Sequence, residues 1–140
     1  MRIASEDSRF GVPAAKLGLG YGFAGIKRLA DLVGPSFAKE IFFTARQFDT
    51  AEALQMGLVN RVRPAAELEA YVSQYAQIIA ANAPLTIAAV KLCAAEYAKD
   101  PEARDLAACQ AAVDTCFASQ DYVEGRTAFM EKRKPAFRGR

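Results

Sequence analysis

Few side chains in this sequence can move a proton or an electron, and the stretch best suited to hold a ligand is a run of glycines. Gly18, Gly20, Gly22 and Gly25 fall within eight residues. Glycine loses more backbone entropy on folding than any other residue, so such a run persists where backbone approaches a neighbour closely or takes positive φ. A loop of this kind feeding a helix also points free N–H groups at whatever lies in front of it. Gly20-Tyr21-Gly22-Phe23-Ala24-Gly25 fits the G-x-G-x-x-G dinucleotide pattern. That pattern works only behind a buried strand and ahead of a second strand that ends in an acid. Residues 15–19 are short and broken by glycine and residues 37–44 read as helix, so a dinucleotide site is not expected.

The remaining candidates are sparse. The chain has no histidine, which removes Ser-His-Asp and Cys-His catalysis and histidine metal sites. Cys109 and Cys116 stand seven apart in a helical pattern. That puts them on one face but roughly 10 Å apart along the axis, too far to bridge. With Cys93 they read as three small core residues. Glu6, Asp7 and Asp31 lie near the glycine run at turn or helix-surface positions and read as solvated charge. Lys16, Lys27 and Arg28 could meet a phosphate there, although surface cations seldom do anything so specific. Arg126, Lys132, Arg133, Lys134, Arg138 and Arg140 crowd the last fifteen positions against Glu131 alone. Either a solvated tail or an anion site fits that bias.

The elements that must position these residues can be read from periodicity. Apolar residues make up 52% and charged residues 24% of the 140, enough for a core, and the net charge of +2 argues against a general nucleic-acid binder. No apolar run approaches a membrane span and no signal-peptide layout is present, so a cytoplasmic protein is expected. Residues 2–5 and 9–12 are two β-like pieces with a turn between them, the last strands of a sheet too small to stand alone. Helices are expected over residues 24–33, stopped by Gly34-Pro35, and over 36–44. Asp49-Thr50-Ala51-Glu52 is a capping box that starts a short helix to Met56, and residues 58–62 read as extended. From Glu67 the chain is helical. Leu68, Tyr71, Val72, Tyr75, Ala76 and Ile79 form one stripe. Pro84 opens a helix to about Ala98 that is apolar on two faces and is therefore expected to be buried on both. Asp100-Pro101 is expected to cap the next helix, and Ser119 a last one running to about Arg133.

Taken together, these residues resemble the second half of the enoyl-CoA hydratase/isomerase (crotonase) family. The resemblance rests on the run from Arg2 to Pro13, with Glu6-Asp7-Ser8-Arg9-Phe10-Gly11-Val12-Pro13, then on Leu17-Gly18 and Gly22-x-x-Gly25-x-x-Arg28-Leu29. It continues through Val33-Gly34, Phe43-Thr44-Ala45 and Gly57-Leu58-Val59-Asn60-Arg61-Val62, and ends with Glu124-Gly125-x-x-Ala128-Phe129-x-Glu131-Lys132-Arg133-Lys134-Pro135. It implies an α/β crotonase-like (ClpP/crotonase spiral) remnant. A short β edge and glycine loop over 1–62 would be followed by a predominantly α-helical trimerisation region over 63–140. It also implies an acyl-CoA substrate, with coenzyme A part of that substrate and no separate cofactor or metal, and a homo-oligomer, a trimer or dimer of trimers. Members polarise the thioester carbonyl with two backbone N–H groups, and hydratases use two glutamates on the water.

Against that pattern the chain departs in two ways. The oxyanion-hole donors and the first catalytic glutamate belong to the family's first half, outside these 140 residues, so the chain alone is expected to be inactive. The second catalytic glutamate follows the proline of the Phe-Gly-x-Pro motif, and that position is Ala14, which cannot titrate. Tyr21 also stands where the family has proline before Gly22. No catalytic residue is therefore carried over. Pro13, Ala14 and Gly22 match positions lining the acyl pocket, and Lys132 matches a basic residue that reaches the CoA of a neighbouring subunit. The expected function is hydration of trans-2-enoyl-CoA or related enolate chemistry. The alternative is a non-catalytic oligomerisation or CoA-binding module, or a truncated inactive fragment, suggested by the two-faced helix from Pro84.

Overall fold

Two three-residue strands tie the start of the chain to its middle. In the computed structural model, which describes all 140 residues, β1 (Ile3–Ser5) runs parallel to β2 (Arg61–Arg63), with Ala4 opposite Val62. The chain divides into two compact units, Met1–Gln74 and Tyr75–Arg140.

In the first unit, the expected second β piece is not a strand. Phe10 makes one antiparallel bridge with Phe48, through Phe10 N–H to the Phe48 carbonyl (3.0 Å) and the reverse bond (2.8 Å). Pairing stops there because Pro13 has no N–H and opens a 3₁₀ turn, Pro13–Leu17. The extended piece also starts later than expected. The N–H groups of Leu58 and Val59 both turn back to the Ala53 carbonyl (2.8 and 3.2 Å), closing off α2 (Thr50–Gln55) through Gly57 at φ 76°. Backbone pairing with the first strand begins with the Asn60 N–H on the Arg2 carbonyl (2.8 Å), and β2 follows from Arg61.

Helix α1 (Phe23–Thr44) is bent at Gly34 (φ 78°, ψ 158°) with Pro35 behind it, so it is the two expected helices joined at a break. The capping box on α2 is present, with Glu52 N–H on Asp49 Oδ1 (2.9 Å) and Asp49 N–H on Glu52 Oε2 (3.1 Å). Glu52 is shared with Arg46, whose guanidinium donates to it at 2.6 and 3.0 Å, reaches Glu40 at 3.2 Å and stacks 3.8 Å above the Phe48 ring. Arg46, and secondly the Asp49 N–H, hold the Glu52 carboxyl below its usual range. Beneath this cap lies the core of Val33, Ala38, Ile41, Phe48 and Met56.

The second unit is built differently. Helix α3 (Leu68–Ala80) contains the boundary between the units. It is followed by α4 (Pro84–Tyr97), α5 (Leu106–Ala118) and α6 (Gln120–Glu131). Its buried residues are Ala89, Glu96, Ser119, Asp121 and Ala128, three of them polar. Polar grips replace a large apolar core here. Asp105, not Asp100, caps α5, accepting from Ala108 N–H at 2.8 Å. The start moves because Glu96 Oε2 accepts the Asp105 N–H at 2.8 Å, while Pro101–Ala103 forms its own 3₁₀ turn. Ser119 caps α6 as expected, accepting from Tyr122 N–H at 3.0 Å.

The tail folds back onto α6. Both oxygens of buried Asp121 accept tail N–H groups, from Arg138 and Gly139 at 2.7 Å each. Glu124 accepts from Ala136 N–H (2.8 Å) and pairs side-on with Arg133 at 2.6 and 2.9 Å. Helix α4 is buried only along the Ala89–Glu96 side. Val90 and Tyr97 are 64% and 78% exposed, so its second apolar face is open rather than covered.

Two consequences can be measured. A Cβ on Gly11 would lie 2.6 Å from the Arg46 carbonyl oxygen, a backbone atom that cannot swing aside. Gly11→Ala is expected to destabilise the first unit by about 1–3 kcal/mol in urea unfolding, as overpacking does. In the second unit, the Arg133 pair and then the Ala136 N–H lower the Glu124 carboxyl from 4.5 to about 2. A depressed folded-state value stabilises above the unfolded value and is lost as pH falls through the folded one. The thermal midpoint followed by circular dichroism should therefore decline as pH drops from 4.5 towards 2, and Glu124→Gln should flatten that decline.

Candidate functional site

The bridge between Phe10 and Phe48 sets the direction in which the chain enters the candidate site. Val12 is extended (φ −125°, ψ 104°), and Pro13 then occupies the first position of the 3₁₀ turn, where its fixed φ and missing N–H are no liability. Ala14 follows and is 6% exposed. Its carbonyl accepts from both Gly18 and Leu19 N–H, the latter at 3.0 Å, and Gly18 sits in the left-handed region (φ 62°). The turn packs against α1. The position that resembles the family's second glutamate is thus a buried methyl group held by a closed turn.

Gly22 is the N-cap of α1, extended at φ −70° and ψ 149°, and no side chain caps it. Its carbonyl accepts from Gly25 and Ile26 N–H at 3.1 and 3.2 Å. A helix begun by glycine with no side-chain acceptor presents its first N–H groups, and the positive end of its dipole, to whatever approaches. The glycine run is explained only in part. Gly18 needs its positive φ. Gly25 makes room for the Tyr21 ring, whose Cε1 would lie 2.8 Å from an added Cβ. Gly20 and Gly22 have neither a positive φ nor an atom within 4 Å of an added Cβ. Tyr21 also meets Phe42 edge-on, with centroids 4.9 Å apart, so the ring standing in for proline folds over the first turn of α1. Nothing in its sequence spacing signals that contact.

Lys132 belongs to the other unit. It ends α6 in the left-handed region (φ 54°, ψ 35°), its N–H on the Phe129 carbonyl (3.2 Å) and the Arg133 N–H on the Ala128 carbonyl (3.0 Å). This is the two-bond helix stop usually built on glycine. The Lys132 side chain is exposed. Of the tail cations, Arg133 is used internally on Glu124 and Glu131. Around the glycine loop, Lys27 is taken by Asp31 at 2.8 Å. Pro13, Ala14 and Gly22 therefore lie along one stretch of the first unit, with Lys132 in the second.

Two cavities lie elsewhere. One of about 330 Å³ is lined by Phe10, Val12, Leu29, Ile41 and Phe48 in the first unit. One of about 900 Å³ runs between α4, α5 and α6, lined by Ala89, Val90, Cys93, Val113, Phe117 and Phe129 among others. None of the four candidate residues lines either cavity. No single helix is long and apolar enough to cross a membrane.

Comparison with known proteins bears on the family and the fold. The family model described as enoyl-CoA hydratase/isomerase matches residues 1–140. The chain is 40% identical over 136 residues to a crotonyl-CoA hydratase of Syntrophomonas wolfei, covering 97% of the chain and 52% of that protein. It is 39% identical over 134 residues to a short-chain-enoyl-CoA hydratase of Clostridium acetobutylicum, covering 96% and 51%. Among solved structures, an enoyl-CoA hydratase/carnithine racemase from Magnetospirillum magneticum superposes with a TM-score of 0.85 at 33% identity, over 100% of this chain and 52% of that one. The chain spans about half the length of the relatives it matches. Matched from its first residue to its last, it belongs to the enoyl-CoA hydratase/isomerase family and carries the C-terminal half of the crotonase fold.

Proposed function

We propose that this chain supplies one wall of an acyl-CoA thioester site and takes part in hydration of a trans-2-enoyl-CoA or related enolate chemistry. The observation that carries this reading is the family match over residues 1–140, with the Phe10 bridge, the Pro13 turn and the glycine-capped α1 following one another in the matched segment.

Hydration needs a base for water and an acid for the α-carbon. Ala14 can be neither. What this wall offers is a dry methyl surface beside the acyl chain and the positive end of α1, which favours the developing enolate. The acid–base work then falls to a single carboxylate outside this stretch. Lys132, exposed on a rigid stop, is the candidate contact for the phosphates of CoA. On this reading the protein acts in the cytoplasm, in fatty-acyl oxidation chemistry, as a trimer or dimer of trimers.

A second reading, a non-catalytic assembly or CoA-binding module, is supported by the open face of α4 at Val90 and Tyr97 and by exposed Phe117 and Phe129.

The two readings separate in one experiment. The 140-residue chain alone should not hydrate crotonyl-CoA. Fused behind the N-terminal half of the Syntrophomonas relative, the Ala14→Glu form should turn over roughly 100-fold faster than the Ala14 form, the lower range of what a positioned acid–base contributes. Equal rates from two folded, CoA-binding fusions would remove Ala14 from the catalytic position. Oligomers in sedimentation without turnover in either fusion would favour the module.

Lys132→Gly gives an independent test. Glycine relieves the left-handed backbone and should raise stability by about 1 kcal/mol. Loss of the ammonium should weaken CoA binding about fivefold in calorimetry. Unchanged affinity in the stabilised variant would exclude Lys132 from the site.

A further inference from the structure

The α4–α5 contact brings two thiols together. Glu96, near the end of α4, accepts the N–H of Asp105, the cap of α5, at 2.8 Å, and the two helices pack against each other. With the end of one helix fixed to the start of the next, they run antiparallel. Cys93 lies one turn back from Glu96 on α4, about 4.5 Å along the axis, and Cys109 one turn on from Asp105, about 6 Å at 1.5 Å per residue. Antiparallel packing makes those steps point the same way, so the two cysteines face each other one layer below the Glu96 anchor. The Cys93 thiol is also one of the neighbours that raise the Cys109 thiol, after burial itself. Ala89, one turn from Cys93, and Ala108 and Ala112, beside Cys109 on α5, are small enough for close approach. Cys116 is two turns further along α5, opposite the start of α4, and out of this layer. All three cysteines are free and half-buried.

We propose that Cys93 and Cys109 form a reversible oxidation site, a dithiol that a hydroperoxide converts to a disulfide linking α4 to α5. Cys93 lines the 900 Å³ cavity between α4, α5 and α6, and Cys109 does not. Of the facing pair, Cys93 is therefore the one open to oxidant; Cys116 lines the same cavity but has no facing thiol in its layer. Burial, and next the neighbouring Cys93 thiol, push the Cys109 thiol up, which keeps it protonated until its turn comes. The Cys93 thiolate attacks the peroxide, the O–O bond breaks, and a sulfenic acid and one water (or alcohol) result. Cys109, losing its proton, attacks the sulfenic sulfur and expels hydroxide, which leaves as water. Two S–H bonds are replaced by one S–S bond, and the two electrons end on the peroxide oxygens.

The site is independent of the acyl-CoA reading, because none of its residues belongs to the Pro13–Gly22 wall or to Lys132. The reduced 140-residue chain, held in native buffer with hydrogen peroxide, should lose two hydrogen masses while remaining monomeric on non-reducing gels. Peptide mapping should find Cys93 joined to Cys109 and Cys116 free, dithiothreitol should reverse the change, and the oxidised form should melt at a higher temperature. Cys93→Ser should instead keep both remaining thiols titratable at the same exposure. A link through Cys116, a link between chains, or stepwise gain of oxygen mass with no cross-link would overturn the proposal.

Discussion

Short elements leave backbone donors and acceptors unpaired, and in this chain a few charged side chains take them up. Arg2 donates to the carbonyls of Leu58 and Gly57, while Asn60 Oδ1 accepts the Arg2 N–H at 2.7 Å, locking the first strand to the end of α2. Glu96 holds the start of α5, and Asp121 and Glu124 hold the tail. A buried carboxylate is costly unless each oxygen is satisfied, and no buried side-chain nitrogen or oxygen here lacks a partner. These grips matter most in the helical unit, where the buried set is small and mostly polar.

That division of labour shapes the candidate site. In the first unit, Ala14 is enclosed by its own turn, and that turn follows the one-rung bridge between Phe10 and Phe48. Gly11 permits that rung, because the Arg46 carbonyl stands where its Cβ would be. In the second unit, the Lys132 side chain is exposed while its backbone is fixed by the helix stop. The Pro13 turn thus closes without help from any titratable group at position 14.

Much of this was legible in the sequence, for physical reasons that differ between elements. The Asp49/Glu52 box, the Gly34-Pro35 break and the Ser119 cap are local signals, and each appears in the structure. The β piece over residues 9–12 misled because strand character depends on a partner, and Arg46 to Phe48 offers only one rung. Asp100 misled because the true cap of α5, Asp105, is chosen by a carboxylate nine residues earlier, an interaction that periodicity does not encode. The same holds for the Tyr21 ring over Gly25 and the tail on Asp121. The family likeness pointed to Pro13, Ala14, Gly22 and Lys132. The spacing of residues alone pointed only to the glycine loop, and for Gly20 and Gly22 the structure gives no steric reason.

The parallel pairing of β1 with β2 has a kinetic consequence. Arg2 and Asn60 are 58 positions apart, so the first unit cannot close its sheet until that long loop has been drawn together. Loop closure is entropically unfavourable before any contact rewards it. The α4–α5 pair, by contrast, needs only a near-neighbour turn. During synthesis or refolding, the helical hairpin is therefore expected to consolidate quickly, while the segment bearing Pro13 and Ala14 waits on the slowest contact in the chain.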